Sequence, residues 1–273
     1  MTDQYAVIGN PIAHSKSPRI HAAFASETSQ DIHYDKLLVE QGQLAEAIAN
    51  FRTQGGKGLN ITVPFKNDAF ELADSLTERA QLAGAVNTLV LNDDGTLQAD
   101  NTDGIGLVRD LTINHKFNLK GARILLLGAG GAVQGVLLPL LQQQPSEIII
   151  ANRTVAKAEA LCEKFSNYGN LSACSFDALA GKSFDGVING TAASLKGEVP
   201  PLPAEILNKE SWCYDMMYSS EPTAFVRWGQ EQGAKHSVDG LGMLVEQAAE
   251  SFELWRGVKP DTRSVIQSLR NSD

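Results

Sequence analysis

An apolar run that enters a glycine-rich turn constrains the second half of this chain more than any other feature. The run Leu125–Leu127 leads into Gly128–Ala132, and apolar residues at helical spacing follow. Glycines let the backbone turn tightly and approach an anion, while N–H groups at the start of the next helix face it. This order predicts a dinucleotide-binding βαβ unit, and a glycine-rich connection without a ligand is the alternative.

The residues after the second strand of this unit indicate which dinucleotide binds. In an NAD site an acidic residue usually hydrogen-bonds the ribose 2′-hydroxyl there. Here the apolar run Ile148–Ala151 leads into a segment that contains Arg153, and Lys157 follows one helical turn later. Two cations suit a 2′-phosphate, so the sequence favours NADP over NAD. Ordinary solvated cations at a helix start are the alternative.

Composition limits the class of protein and its partners. Of the 273 residues 43% are hydrophobic and 20% are charged, which is typical of a globular protein in water. The formal net charge of −9 argues against a nucleic-acid binder. We expect no membrane span, no signal peptide and a cytoplasmic location, because long apolar runs are absent. The spacing of the histidines and cysteines predicts no metal site.

Alternating strand-like and helix-like segments predict an α/β protein of two domains. The pattern restarts near residue 103, and the amphipathic segment Leu241–Trp255 can cross back to the first domain. We therefore predict an N-terminal α/β domain with a mainly parallel sheet at residues 1–102, joined by C-terminal helices at 241–273. A Rossmann-type domain is predicted at residues 103–240.

Polar clusters lie at the ends of predicted elements in the first domain. Ser17, followed by a proline, is predicted to cap a helix, whereas no cap explains Ser15. Gly55–Gly58 are predicted to end a helix, and Leu59–Val63 is predicted to be the strand that follows. Asn60 and Thr62 share one face of that strand. Lys66 follows that strand, where open α/β sheets bind ligands. A solvated loop lysine is the alternative for Lys66.

Two further clusters lie around Ala85–Thr88 and Asp100–Gly104. Asp103 can either take part in a site or cap a helix that starts at Gly104. A separate helix is predicted around Asp68–Leu76, and a hairpin is predicted across Asp94-Gly95.

Taken together, these clusters resemble the shikimate dehydrogenase family over essentially the whole chain. The motifs that carry the resemblance are GNPIAHSKSP (Gly9–Pro18), NITVPFK (Asn60–Lys66), AGAVNT (Ala83–Thr88), DNTDG (Asp100–Gly104), GAGGA (Gly128–Ala132), NRT (Asn152–Thr154), YDMMY (Tyr214–Tyr218) and DGLGMLVEQAA (Asp239–Ala249). The resemblance implies an NADP-dependent oxidoreductase that reduces 3-dehydroshikimate to shikimate on the route to aromatic amino acids.

The resemblance also implies a role for each matched residue. Lys66 and Asp103 would be the catalytic pair, and no metal is implied. The substrate-binding residues would be Ser15, Ser17, Asn60, Thr62, Lys66, Asn87, Asp103, Tyr218 and Gln247. The cofactor-binding residues would be Glu78, Gly128, Ala129, Gly130, Gly131, Ala132, Asn152, Arg153, Thr154, Lys157, Thr191, Met216, Gly240 and Met243. Shikimate and 3-dehydroshikimate are the expected partners, and the expected state is monomer or homodimer.

The chemistry of the residues agrees with this reading. A small hydroxylated carboxylate suits a site rich in hydroxyl and amide groups. Hydride delivery to a ketone builds negative charge on oxygen, which the Lys66 ammonium can stabilise and protonate. Three departures from the family pattern concern the cofactor: Val133, Lys157 and the pair Ala192-Ala193. An NAD-accepting quinate/shikimate dehydrogenase and a non-catalytic NADP sensor remain as alternative functions.

Overall fold

The computed structural model describes residues 2–271, and their contacts form two compact units. Unit 1 contains the described residues up to Gly106 and from Val245 onward, and unit 2 is Leu107–Leu244. Both boundaries between the units, after Gly106 and after Leu244, lie inside helices. Residue 1 and residues 272–273 of the predicted domain ranges lie outside the described residues, and the boundaries 1–102 and 103–240 stay a prediction.

Strands and helices alternate along most of the chain. The strands are β1 Asp3–Gly9, β2 Ile32–Leu38, β3 Gly56–Ile61, β4 Ser75–Leu76, β5 Thr88–Leu91, β6 Leu97–Asp100, β7 Arg123–Leu127, β8 Glu147–Ala151, β9 Leu171–Cys174, β10 Phe184–Asn189, β11 Leu207–Asp215 and β12 His236–Asp239. The helices are α1 Ser17–Thr28, α2 Leu44–Thr53, α3 Lys66–Leu72, α4 Glu78–Ala83, α5 Asp103–Arg109, α6 Gly131–Leu141, α7 Val155–Lys164, α8 Ala224–Glu231, α9 Leu241–Arg256 and α10 Arg263–Arg270. The predicted α/β class is confirmed.

Unit 1 is built on a mixed six-stranded sheet in the order β2-β1-β3-β5-β6-β4. β1 pairs in parallel with β2 and β3, and β4 pairs in parallel with β6. The other two pairings, β3 with β5 and β5 with β6, are antiparallel. The predicted hairpin is therefore confirmed, and Gly95 takes the left-handed φ of +92° that its turn requires. From Val245 onward α9 belongs to this unit, as the predicted crossing back requires.

Unit 2 is built on a parallel six-stranded sheet in the order β12-β11-β10-β7-β8-β9. Its central strand β7 is fully buried from Ile124 to Leu127, as expected for a parallel strand covered on both faces. The chain leaves β7 toward β8 on one side and later returns to β10 on the other. Such a switch point, at the carboxyl ends of the strands, is where open α/β sheets bind ligands. The glycine turn begins there.

Two glycines that were predicted to end a helix lie inside strand β3 instead. A side-chain carbon on Gly56 would lie 2.2 Å from the Phe51 ring, and one on Gly58 would lie 2.4 Å from the Trp255 indole nitrogen. The glycines are thus needed for close ring packing within the sheet, not for a turn. The strand ends at Ile61 instead of Val63, although the Thr62 N–H still bonds Ile8.

Two other local predictions, for a helix end and a helix cap, were wrong at their boundaries, and so was the alternative that Asp103 caps a helix. The helix predicted around Asp68–Leu76 runs only to Leu72, because the backbone of Asp74 pairs with β6 and Ser75–Leu76 joins the sheet. Ser17 is the first residue of α1 and not its cap, and the hydroxyl of Ser15 accepts the Ser17 N–H instead. Asp103 likewise starts α5, while Asn101 accepts its N–H.

No helix in the described part of the chain is long and apolar enough to cross a membrane.

Candidate active site

The carboxyl-end loops of unit 1 bring a lysine and an aspartate into direct contact. Lys66 begins α3 and Asp103 begins α5, so each side chain projects from a helix start. Lys66 Nζ lies 2.6 Å from Asp103 Oδ2, and the two side chains are 29% and 18% exposed. A charged pair that is partly open to solvent can orient an ammonium and still leave it accessible to a ligand.

Asn87 fixes the other oxygen of this carboxylate. Its amide nitrogen donates to Asp103 Oδ1 at 2.8 Å and to Thr102 Oγ1 at 2.9 Å. Its amide oxygen accepts from the Thr102 N–H at 2.9 Å. Gln247 of α9 reaches the same group, with Oε1 3.3 Å from Asn87 Nδ2. The predicted residues Lys66, Asp103, Asn87 and Gln247 therefore form one connected cluster.

Asn60 is buried next to this cluster, and both ends of its side-chain amide already have hydrogen-bond partners. It is 7% exposed. Its amide oxygen accepts from the Tyr34 hydroxyl at 2.7 Å, and its amide nitrogen donates to the Asn87 carbonyl and to Ser251 Oγ, both at 3.1 Å. A side chain with both ends occupied orients its neighbours.

The remaining predicted substrate residues divide between the two units. Ser17 is buried, while Ser15 and Thr62 are partly exposed. These three belong to unit 1, whereas Tyr218 belongs to unit 2 and is partly buried there.

Sequence reasoning missed four members of the polar network: Tyr34, Thr88, Thr102 and Ser251. Thr88 and Ser251 share a hydrogen bond of 2.7 Å, and Thr102 lies 3.4 Å from Ser251. Both threonines lie inside motifs already singled out. Ser251 follows Gln247 by four residues, so both lie on one face of α9, and that spacing was a usable signal. Nothing in the local sequence points to Tyr34.

A buried ion pair braces the strand that leads to Asp103. Arg79 donates to both oxygens of Asp100 and also to Glu250 at 2.8 Å. Burial alone would raise the pKa of Asp100, but the Arg79 guanidinium outweighs it and the pKa is lowered. Glu78, predicted to bind the cofactor, precedes Arg79 and is exposed in unit 1.

In unit 2 the glycine turn forms a cradle with open space above it. Gly128 has a left-handed φ of +103°, and its N–H bonds the Ala151 carbonyl at 2.8 Å. A side-chain carbon built on Gly130 or Gly131 would meet nothing within 4 Å. No side chain caps α6, which begins at Gly131. Helix-start N–H groups beside open space fit a pyrophosphate, so the residues present suit a dinucleotide.

Two exposed cations flank a second turn next to this cradle. Asn152 follows β8, and its amide donates to the Thr154 carbonyl at 2.8 Å, which shapes the turn. Arg153 and Lys157 are exposed, and no hydrogen bond or ion pair of their side chains is found among the described residues. Two uncommitted cations suit a 2′-phosphate.

Val133 occupies the position where a small residue is usual, and Gly190 makes room for it. Val133 is fully buried. A side-chain carbon on Gly190 would lie only 2.5 Å from Val133 Cγ2. Gly190 thus lets a larger residue pack at the start of α6.

The other predicted cofactor residues of unit 2 lie at the ends of β10, β11 and β12. The Thr191 hydroxyl donates to Asn189 at 2.7 Å, and the Met216 N–H bonds the Asn189 carbonyl at 2.9 Å. A side-chain carbon on Gly240 would lie 2.5 Å from the Met216 carbonyl oxygen, so these loops are in close contact. Met243 lies in the first turn of α9 and is 9% exposed.

Within the described residues, no group of histidine, cysteine and acidic side chains could hold a metal ion.

Comparison with known proteins gives a consistent family. The profile for "Shikimate dehydrogenase substrate binding domain" matches residues 7–89, that for "Shikimate / quinate 5-dehydrogenase" matches 111–196, and that for "Shikimate 5'-dehydrogenase C-terminal domain" matches 240–270. The shikimate dehydrogenase (NADP(+)) of Cellvibrio japonicus is 58% identical over 270 residues, which cover 99% of this chain and 98% of the relative.

Solved structures agree with the sequence relatives. An Ael1 enzyme from Pseudomonas putida has a TM-score of 0.94 and 51% identity, covering 98% of each chain. A shikimate 5-dehydrogenase from Thermus thermophilus in complex with NADP(H) and shikimate has a TM-score of 0.87 and 30% identity, covering 99% of this chain and 100% of that one. This chain belongs to the shikimate dehydrogenase family.

Proposed function

We propose that this chain catalyses the reversible, NADPH-linked reduction of 3-dehydroshikimate to shikimate, a step of aromatic amino acid biosynthesis. The observation that carries the proposal is the Lys66–Asp103 pair, held at 2.6 Å within a ring of amide and hydroxyl groups. The curated name of the relative with 58% identity supports the substrate and the cofactor. Cytoplasmic location and a monomeric or homodimeric state remain predictions.

The two units supply different parts of the chemistry. Gly128–Ala132 and the turn with Arg153 would hold NADP in unit 2 through its pyrophosphate and 2′-phosphate. When bound, the reduced cofactor supplies the hydride for the substrate carbonyl. The polar groups of unit 1 would hold the hydroxyls and carboxylate of shikimate, with Ser15, Ser17, Thr62, Asn87 and Gln247 as the proposed contacts. A substrate-binding role for Tyr218 stays a prediction.

Lys66 is the proposed general acid of the reduction. As the carbonyl oxygen gains negative charge, the ammonium stabilises it and gives up a proton to it. Asp103 holds Lys66 Nζ on one oxygen, while Asn87 holds the other oxygen at 2.8 Å. Because both carboxylate oxygens are occupied, the lysine has one preferred direction. In the oxidation of shikimate the same groups act in reverse, with Lys66 at the position that receives the hydroxyl proton.

The test is to assay purified protein with shikimate and NADP and to follow reduced nicotinamide by absorbance. Lys66→Ala should lower kcat about 10²- to 10⁴-fold, because it removes the proton donor. Its Kd for NADPH should stay within about twofold of the wild type, because Lys66 is in the other unit. Asp68→Ala, on the same helix and exposed, is the matched control.

The alternatives make different predictions in the same assay. A higher kcat/KM with NAD than with NADP would contradict the 2′-phosphate assignment and favour a quinate/shikimate dehydrogenase. Binding of NADPH without turnover of shikimate or quinate would favour the sensor. Full turnover by Lys66→Ala would refute the proposed acid.

A further inference from the structure

A buried carboxylate that the proposed reaction does not use lies beneath the first turn of α9. Asp110 is 1% exposed. One of its oxygens accepts from the Tyr214 hydroxyl at 2.7 Å, and the other accepts from Asn114 Nδ2 at 3.0 Å. Burying a carboxylate costs free energy even when it has two hydrogen-bonding partners, and an apolar residue would avoid that cost. A role for Asp110 other than packing would explain why a carboxylate stands here.

The backbone around Asp110 is also unusual. Helix α5 is followed directly by a π-helical turn at Asp110–Asn114, in which the His115 N–H bonds the Asp110 carbonyl at 3.0 Å. π-Helical turns are rare in proteins overall, and many of those that occur lie at functional sites. The imidazole Nε2 of His115 lies 3.7 Å from Asp110 Oδ1.

The carboxylate touches α9 at a glycine. A side-chain carbon built on Gly242 would lie only 2.0 Å from Asp110 Oδ1, so any other residue there would collide with it. Gly242 belongs to the first turn of α9, where the helix dipole favours a negative charge. Asp110 is therefore placed to stabilise the start of this helix.

Tyr214 holds the same carboxylate from strand β11. Its hydroxyl donates to Asp110 Oδ2 at 2.7 Å, and the whole side chain is buried. Burial, followed by the charge of Asp110, raises the pKa of Tyr214 well above its usual value, so the hydroxyl stays protonated. The result is a buried link from the Tyr214 hydroxyl through Asp110 to the first turn of α9 at Gly242.

The turn before α9 is held from its other side as well. The Gly240 N–H bonds the Met217 carbonyl at 2.9 Å, and Gly240 packs closely against the Met216 carbonyl. Gly240 is thus held by the Met216–Met217 backbone, and Gly242 is held by Asp110. Gly240 and Met243 are two of the residues assigned to the cofactor by family resemblance.

We propose that Asp110 and Tyr214 are positioning residues for the NADP-binding turn Gly240–Met243. Both side chains are buried, and they act through the backbone by holding the first turn of α9 at Gly242. The inference rests on the proposed function, because that function makes this turn part of the cofactor site.

The test is Tyr214→Phe, which keeps the ring and removes the bridging hydroxyl. NADPH Kd, measured by fluorescence titration, should rise roughly tenfold, the effect of losing one hydrogen bond to a charged group. In the ligand-free protein, hydrogen–deuterium exchange of residues 240–246 should accelerate. The matched control is Ser211→Ala, which removes another fully buried hydroxyl of β11, one that donates to the Phe184 carbonyl and accepts from the Asn208 N–H.

Asp110→Asn provides a second variant of equal volume if Tyr214→Phe fails to fold. It should also accelerate exchange of residues 240–246 and weaken NADPH binding. Unchanged exchange and unchanged Kd in Tyr214→Phe would overturn the inference. Equal Kd increases in Tyr214→Phe and Ser211→Ala would also overturn it, because the effect would then follow general destabilisation. Failure of wild-type protein to bind NADPH would instead refute the proposed function, and the exchange experiment would still test the positioning role.

Discussion

His21 should make unit 1 sensitive to mild acid. The imidazole is fully buried, and neither ring nitrogen has a hydrogen-bond partner in the described part of the chain. It stacks on Tyr34 with ring centroids 4.2 Å apart and lies 5.4 Å from the Trp255 ring. Burial among aromatic rings lowers the pKa of His21 from 6.5 to about 3. The folded state therefore holds this histidine neutral.

The direction of the effect follows from proton binding. Below pH 6.5 the unfolded chain binds a proton at His21, and the folded chain does not until about pH 3. Stability is thus fully present above the unfolded pKa and falls as the pH drops toward the folded pKa. With one pKa unit equal to about 1.4 kcal/mol, acidification from about pH 7.5 to about pH 5.5 should cost about 1.4 kcal/mol through this residue.

The assay is equilibrium urea unfolding of the wild type and of His21→Phe at both pH values. Other groups titrate alike in the two proteins, so the difference between their pH-dependent losses isolates His21. His21→Phe should lose about 1.4 kcal/mol less than the wild type. His33→Gln, an exposed histidine in the same unit, should retain the full loss. If the larger ring prevents folding, His21→Leu serves the same purpose. If the wild type and either His21 variant lost the same unfolding free energy between the two pH values, the assigned role of His21 would be refuted.

Three other predictions concern the cofactor turn, the start of α6 and the buried ion pair. Arg153→Gln should raise KM for NADP roughly tenfold and leave KM for NAD unchanged, because only NADP carries the 2′-phosphate; equal changes would contradict it. Gly190→Ala should lower the free energy of unfolding, measured by thermal melting, by about 1 to 3 kcal/mol. Adding Val133→Ala to the same chain should recover part of that loss if the cause is the 2.5 Å approach of the new side-chain carbon to Val133 Cγ2. Arg79→Met should cost about 3 to 5 kcal/mol, because it leaves Asp100 buried and unpaired, and a melting temperature within error of the wild type would show that the pair contributes little.

The sequence was sufficient where the signal was local. The α/β class, the glycine turn and the hairpin at Gly95 all depend on residues close together in the chain, and the structure confirms them. The strand position of Gly58 could not be predicted in this way. Its reason is the Trp255 ring, which packs on it from a helix far along the chain, so a local glycine cluster was read as a turn.

The same difference between local and distant signals decides which features of the candidate site could be predicted. Lys66 and Asp103 could be named from motifs, but their contact at 2.6 Å depends on two helix starts that only the sheet brings together. Asn60 was predicted to share a strand face with Thr62, and the family resemblance implied that it binds the substrate. The amide of Asn60 is hydrogen-bonded to buried partners, which include the Tyr34 hydroxyl. No local sequence pattern connects Tyr34 to Asn60. Alternation along a strand gives the face of a residue but not what covers that face.

The departures from the family pattern show why motif positions cannot be judged singly. Val133 at the start of α6 looks unfavourable to close packing of helix and strand when the glycine motif is considered alone. The structure places a glycine, Gly190, directly against it at the end of the neighbouring strand β10, where any side chain would collide. The volume added at one position is matched by the absence of a side chain at the other. We therefore expect the two positions to behave as one packing unit, with either change alone more harmful than the compensated pair.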